Sequence, residues 1–297
     1  MNFKTLIKTT SILSGLIIIS ACGGGSGGSS SGAAIAAATK PINDTGILTC
    51  GDYAYTDSGT NYNVSGSGTH SNDLNCATIA AQATQTADGM DADGDIVRAG
   101  QDAVYGRDVT NNDNSDGHAG FSFTKLDSSG TALANQTQTF ATTPWDCVRD
   151  NVTGLIWEVK QNSGLRDPAN FYSWYNSTGT NDGGGSGTSN TGTCSNSNCD
   201  TESFVAAVNA SNTGAGICGA ADWRLPSMEE LASIMNNNTT NPTIDVNYFP
   251  NTKIDSYWTS SPSASATTSA WQGSFVNGEL SGSFKSLGKY VRLVRNN

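Results

Sequence analysis

Asn170, Tyr172, Trp174 and Tyr175 stand together in the stretch NFYSWYN. Aromatic rings beside carboxamides suit sugar recognition. A ring face takes the apolar side of a pyranose, and an amide bonds its hydroxyls. The competing reading is that these large aromatics are core. A long Gly-rich stretch, 179–198, follows, and long ordered loops often carry binding sites. A second set consists of oxygen ligands. DADGD places Asp91, Asp93 and Asp95 at alternate positions with Asp102 at the twelfth, and NNDNSDG supplies Asn112, Asn114 and Asp116. Such clusters suit calcium, a hard cation. Neither is a complete EF-hand loop: Ile96 stands where the turn glycine belongs, and Phe123 occupies the second loop's twelfth position. Solvated Asx turns account for the same residues.

Residues for catalysis are scarce. The chain has two histidines, His70 and His118, both in polar, Gly/Ser/Asn-rich segments. Ser-His-Asp and three-His metal chemistry are therefore not expected, and no catalytic residue is assigned. Trp157, Trp223, Arg224 and Pro226 read as structural. Trp157, Trp258 and Trp271 lie in alternating strand contexts that suit a core.

Seven cysteines remain to be placed. Lys4 and Lys8 precede an apolar run, residues 12–19, too short to span a bilayer and flanked as a secretory signal is. It ends in Ile19-Ser20-Ala21-Cys22, the small-residues-then-Cys pattern of a bacterial lipoprotein signal covering 1–21. Cys22 is then the lipidation site, with two or more acyl chains giving stable membrane anchoring. The expected location is the cell envelope, at the outer membrane or cell surface. Residues 22–40, with GGGSGGSSSG directly after Cys22, read as a flexible tether. The other six cysteines form an even set in an exported chain, which suggests three disulfides among fifteen pairings. The favoured set is Cys50–Cys76, Cys147–Cys218 and Cys194–Cys199, the last because CSNSNC closes a small polar loop. A zinc site at Cys194 and Cys199 is a weaker alternative, with no His or second Cys pair nearby.

Removing Lys4 and Lys8 with the leader leaves 13 basic residues against 26 acidic ones. An acidic surface argues against nucleic acid and polyanions as partners. Charged residues make up 14% of the chain. The average soluble domain has about 25%, and here Ser, Thr, Asn and Gly fill the difference.

The elements that must position these residues are clearest in 145–297. WDCVRDNVTGLIWEVK reads as a hairpin turning at residues 150–154. TESFVAAVNAS reads as a short helix capped by Asp200 or Thr201, with Glu202 in its first turn and Phe204 and Val208 on one face. In DWRLPSMEEL, Ser227 and Glu230 form a capping box, and Pro226 holds Leu225 extended. Trp223 and Leu225 then point to the core and Arg224 to the other side, toward a carboxylate or backbone carbonyls. Leu231, Ile234 and Met235 form the buried face of the helix that follows. SYWTSS is a strand, Asn277-Gly278 marks a hairpin, and YVRLVR is a last, alternating strand. Residues 41–144 read as an irregular, β-rich region that packs on the rest, with a hairpin at AGFSFTKLDSSGTAL.

In order, DNVTGLIWEVK, TESFVAAVN, CGAADWRLPSMEEL, IDVNYFPNT, YWTSS, AW and VRLVR resemble the Lcl C-terminal domain family over 145–297. The resemblance implies an α+β fold of C-type-lectin-like kind: a twisted antiparallel sheet with two helices and long loops. It also implies a surface adhesion role, with a glycan or a surface protein as ligand. The name-giving member binds sulfated glycosaminoglycans, which the acidic charge here opposes. The calcium-sugar signature of C-type lectins is missing, since Asn241-Pro242 has no partner acid.

Overall fold

The computed structural model describes residue 45, residues 49–50, 74–75 and 115–118, and residues 120–297. The leader, Cys22, the tether, the Cys50–Cys76 pairing and the calcium candidates Asp91, Asp93, Asp95, Asn112 and Asn114 lie outside the described residues.

Among the described residues, strands pair antiparallel in three sheets. The short β1 (Thr49–Cys50) pairs with β2 (Leu74–Asn75). A four-stranded sheet runs in the order β3 (Phe123–Leu126), β4 (Cys147–Asp150), β5 (Leu155–Glu158), β9 (Val294–Asn296). A three-stranded sheet holds β6 (Ser256–Pro262), β7 (Ser269–Ser274) and β8 (Leu280–Phe284). Two helices, α1 (Thr201–Gly214) and α2 (Met228–Ala232), lie between β5 and β6 in the chain. The fold is α+β. The strands expected in one sheet divide between two. Single bridges, Tyr257 to Tyr290 and Arg224 to Val294, join the segment before β9 and the first residue of β9 to their neighbours.

Local chemistry accounts for the turns. The β4–β5 hairpin closes on Asp150, whose buried carboxylate accepts from the Val152 and Thr153 amides and from the Thr153 hydroxyl. Gly154 completes it at φ +75°, a left-handed conformation that glycine adopts without penalty. The capping box stands as expected: Ser227 Oγ accepts from the Glu230 amide, and Glu230 Oε2 accepts from the Ser227 amide. Asp200 caps α1 by accepting from Ser203 N. Asn212 and Thr213 are left-handed and Ser211 is extended, so the regular helix ends at Ala210. The Asn277-Gly278 turn is wider than a two-residue hairpin, because β7 ends at Ser274 and β8 begins at Leu280.

The core has two clusters. One gathers Phe121, Phe123, Trp145, Trp157, Phe249 and Phe275; the other gathers Tyr172, Trp174, Phe204, Trp223, Trp258 and Leu293. Phe121 and β3 precede residue 145, yet β3 pairs with β4 along four residues, so this part of the polar region belongs to the main sheet. Two expectations need correction. Trp271 is only half-buried, because it lies on a face of β7 that α2 covers at Gly273 but not along its length. The segment 291–294 does not alternate: Val291, Arg292, Leu293 and Val294 are all buried. It is enclosed on both sides, which a polar residue tolerates only with partners.

Candidate ligand-binding site

Residues 171–176 run through the middle of the second cluster as a series of single bridges, including Tyr172 to Lys289, Ser173 to Asp200 and Tyr175 to Gly187. Backbone partners on both sides turn this segment into a rigid ribbon. Trp174 is fixed twice more. Its indole Nε1 donates to Thr259 O at 2.9 Å, and the Lys285 ammonium sits 4.3 Å from its ring centroid.

The reading of Asn170, Tyr172 and Trp174 as a solvent-facing sugar platform is corrected here. Tyr172 is wholly buried and stacks on Phe204 at 4.6 Å, and burial pushes its phenol pKa upward. Asn170 is a loop clasp: its amide donates to Gly164 O and Leu165 O, and its oxygen accepts from Ser195 N. Trp174 is 1% exposed. The pattern that suggested a platform is the interior of the domain, because the ribbon is covered on both faces. Tyr175 alone of the four is half-buried.

The ribbon nevertheless borders a cleft of about 330 Å³, at the small end of ligand pockets. Trp174, Tyr175 and Asn176 form one wall, the first turns of α1 another through Glu202 and Val205, and Arg224 and Leu225 the third. So the two most conspicuous stretches of the sequence, NFYSWYN and DWRLPS, meet at one place. Each wall is held by specific bonds. Thr201 Oγ1 donates to Tyr175 O and accepts from Tyr175 N, both at 2.9 Å, which locks ribbon to helix. Glu202 accepts from the Ser177 amide at 2.5 Å and the Ser177 hydroxyl at 2.6 Å. Its carboxylate also lies at the helix N-terminus, where the dipole favours it.

Arg224 makes a two-pronged ion pair with Glu230, at 2.6 and 2.7 Å. This hydrogen bonding raises the Arg224 pKa further above its ordinary value. Glu230 thus serves both the capping box and the arginine. Asp222 receives Arg295 Nε at 2.7 Å, Trp223 enters the core with its Nε1 donating to Ile217 O and Ala220 O, and Pro226 is buried. DWRLPS is therefore a clasp between the chain's end and α2. Its Arg224 and Leu225, the latter only half-buried, also face the cleft. Residue by residue, the cleft has an apolar middle of Trp174, Tyr175, Val205 and Leu225 between two polar ends. In each end the charged group is already hydrogen-bonded.

The other candidates resolve as follows. Cys147 is bonded to Cys218 and Cys194 to Cys199, the favoured pairs. Asp116 is the one calcium candidate within the described residues, and its carboxylate accepts from Ser122 Oγ at 2.5 Å. Among the described residues no group of three or more His, Cys, Asp or Glu side chains gathers, and no helix is long and apolar enough to cross a membrane. Trp157 is buried in the first cluster. Sequence reasoning missed Val205 and Leu225 as wall residues and the interior placing of Lys285. The i, i+3 step from Glu202 to Val205 was the available signal for a shared helix face.

Fold and cleft together define an α+β domain with a small amphipathic cleft and, among the described residues, two disulfides. The model of the Lcl C-terminal domain matches residues 146–295, half of the chain, and the chain belongs to that family. No curated protein and no solved structure matches it.

Proposed function

We propose that this chain is an exported, lipid-anchored envelope protein whose C-terminal domain binds a surface ligand, a glycan or a protein segment, without transforming it. The observation that carries the reading is the cleft between the Trp174–Asn176 ribbon, α1 and the Arg224–Leu225 step. It has an apolar floor for a ring face or side chain and polar ends for orientation. Its ionic groups are tied to neighbours: Arg224 to Glu230, and Glu202 to Ser177. Such groups orient a ligand by hydrogen bonding, and none is poised as a nucleophile with its base. Since Arg224 and Glu230 cancel, Glu202 leaves the cleft acidic, which matches the acidic chain and disfavours sulfated ligands.

Filling the cleft tests the reading. Val205 is half-buried on α1, so Val205→Trp adds bulk to the cleft without emptying the core. A printed array of glycans and surface-protein peptides is expected to bind the wild-type chain and to lose about ten-fold or more of that binding with Val205→Trp. Equal signals from both proteins, or none from either, count against it. The anchor has its own test. Cys22→Ser is expected to abolish incorporation of an alkynyl fatty acid and to move the chain from the membrane to the soluble fraction. A variant that stays membrane-bound refutes lipidation at Cys22.

A further inference from the structure

The ribbon has a second groove on its other side. Ser186 O accepts from Asn176 N, Thr188 N donates to Trp174 O, and Gly187 bridges Tyr175. The segment that pairs with the ribbon, 185–188, lines a space of about 500 Å³ together with Thr267, Thr268 and residues 284–286. We propose that this groove is a binding subsite for uncharged carbohydrate, with Phe284 as its stacking platform.

Four observations converge. First, Phe284 is 63% exposed, the highest value among the described large hydrophobic side chains that reach solvent. Its ring borders the groove. Second, the rest of the wall is hydroxyl and backbone, with Ser186, Thr188, Thr267, Thr268 and Ser286. A pyranose has one C–H face and a rim of hydroxyls. One aromatic ring beside a hydroxyl-rich wall is the complementary surface, whereas a hydrophobic ligand would leave those hydroxyls unpaired.

Third, the groove offers no available charge. Lys285 is 1% exposed, and its ammonium donates to Asp182 O, Gly185 O and Thr267 O at 2.6, 2.6 and 2.8 Å. An ammonium has three donors, and all are used. The charge goes into joining the Gly-rich loop to the 267–268 turn. Fourth, the groove is rigid. A Cβ on Gly185 would come within 2.7 Å of Thr267 O, and one on Gly187, at φ +83°, within 2.2 Å of Trp174 O. These glycines allow the close backbone approach that fixes the loop, and a prebuilt groove loses little entropy on binding.

The sheet extends the platform. Ser269 pairs with Phe284 and Trp271 with Gly282, so Phe284 and the half-buried Trp271 lie diagonally on one face. Nothing lies within 4 Å of a Cβ placed on Gly282. The surface between the two rings is open, as a chain of sugar units would need.

Native gel electrophoresis of the full chain through embedded xylan, mannan, dextran, galactan and β-glucan reads the binding directly. Retention by at least one of these neutral polysaccharides is expected. Phe284→Ala should weaken it about ten-fold. Phe284→Tyr should keep it. Because the Phe284 ring is exposed, its loss should leave the thermal midpoint unchanged. If the midpoint moves, Ser186→Trp, an exposed position that fills the groove, takes its place as the test variant. Retention by none of the five polymers, or retention insensitive to the variant, overturns the assignment. Val205→Trp run alongside separates the two sites: retention lost there and kept in Phe284→Ala favours the cleft and refutes the groove.

Discussion

Removing the Cys147–Cys218 link by paired alanine substitution is expected to lower the unfolding free energy by roughly 4 kcal/mol, with the midpoint of chemical denaturation falling accordingly. The bond joins residues 71 apart in sequence, so it closes a loop that holds β5, the ribbon and α1. In the chain-entropy account the effect grows with loop length. Cys194–Cys199 spans only 5 residues and is expected to contribute about 2 kcal/mol. Two features place the first bond at a demanding site. Cys147 is fully buried at the start of β4, and Cys218 is 5% exposed with φ +51° in the Ile217–Ala220 turn. The neighbouring turn packs tightly on it: a Cβ on Gly130 would lie 2.4 Å from Cys218 O, and one on Gly219 2.6 Å from Ser129 O. Without the bond, the left-handed residue and both turns depend on packing and on local hydrogen bonds such as those from Trp223 Nε1 to Ile217 O and Ala220 O. Parallel denaturation of the two paired-alanine variants tests the order. Equal losses, or a larger loss for the 194–199 pair, would contradict it.

Local chemistry was readable and enclosure was not. The capping box at Ser227 and Glu230, the Asp200 cap and the Asp150–Gly154 turn each involve residues within four positions of one another. Their side chains bond their own neighbourhood, so the sequence carries the whole signal. The two described disulfides were among the favoured pairings of an even set of six cysteines, and a local reason was readable only for Cys194–Cys199, which closes a short polar loop. Burial of the aromatics was a different problem. Period-two alternation assigns Phe284 and Trp271 to a strand face but does not say what covers it. The covering of the ribbon comes from α1, the 285–290 segment and β6, all distant in sequence. That is why Tyr172 and Trp174 read as a sugar platform and lie inside, while Trp271 reads as core and lies half-buried. The cleft shows both sides of this. Its walls come from two stretches that were each conspicuous, but their meeting depends on β9 pairing with β5 and so carrying Arg224 to Val294.

The buried charges near β5 give the remaining large effect. Glu158 is fully buried; Lys160 Nζ donates to its Oε1 at 2.8 Å and Leu293 N to its Oε2 at 2.9 Å. Arg292, also fully buried, donates to Glu158 O and Thr252 Oγ1, both at 2.7 Å, and lies 5.1 Å from the Phe249 ring centroid. Lys160→Met should keep the stem's packing while removing the cation bonded to Glu158, which leaves the carboxylate to Arg292 and the Leu293 amide, at a cost of about 3 kcal/mol. Arg292 also faces Glu158, so adding Glu158→Gln would leave that buried guanidinium without its counter-charge and should recover nothing; a double variant more stable than the single would show that Arg292 does not depend on Glu158. The pH profile supplies an independent check. Burial lowers the Lys160 pKa from 10.5 to about 8, against the opposing pull of Glu158. Between those values the unfolded chain holds a proton that the folded chain has released, so this lysine makes stability rise with pH across that window. Tyr257 acts in the opposite direction. Burial pushes its pKa from 10.0 up to about 12, so in that range the unfolded chain ionises first and stability falls. Wild-type stability should therefore climb above about pH 8 and turn over above about pH 10, whereas Lys160→Met should lose most of the climb, keeping the smaller share that the lowered pKa values of Lys125 and Lys285 contribute, and keep the fall. Measured unfolding free energies between pH 7 and 11 decide it, and a climb that survives undiminished in Lys160→Met would assign the titration to another group.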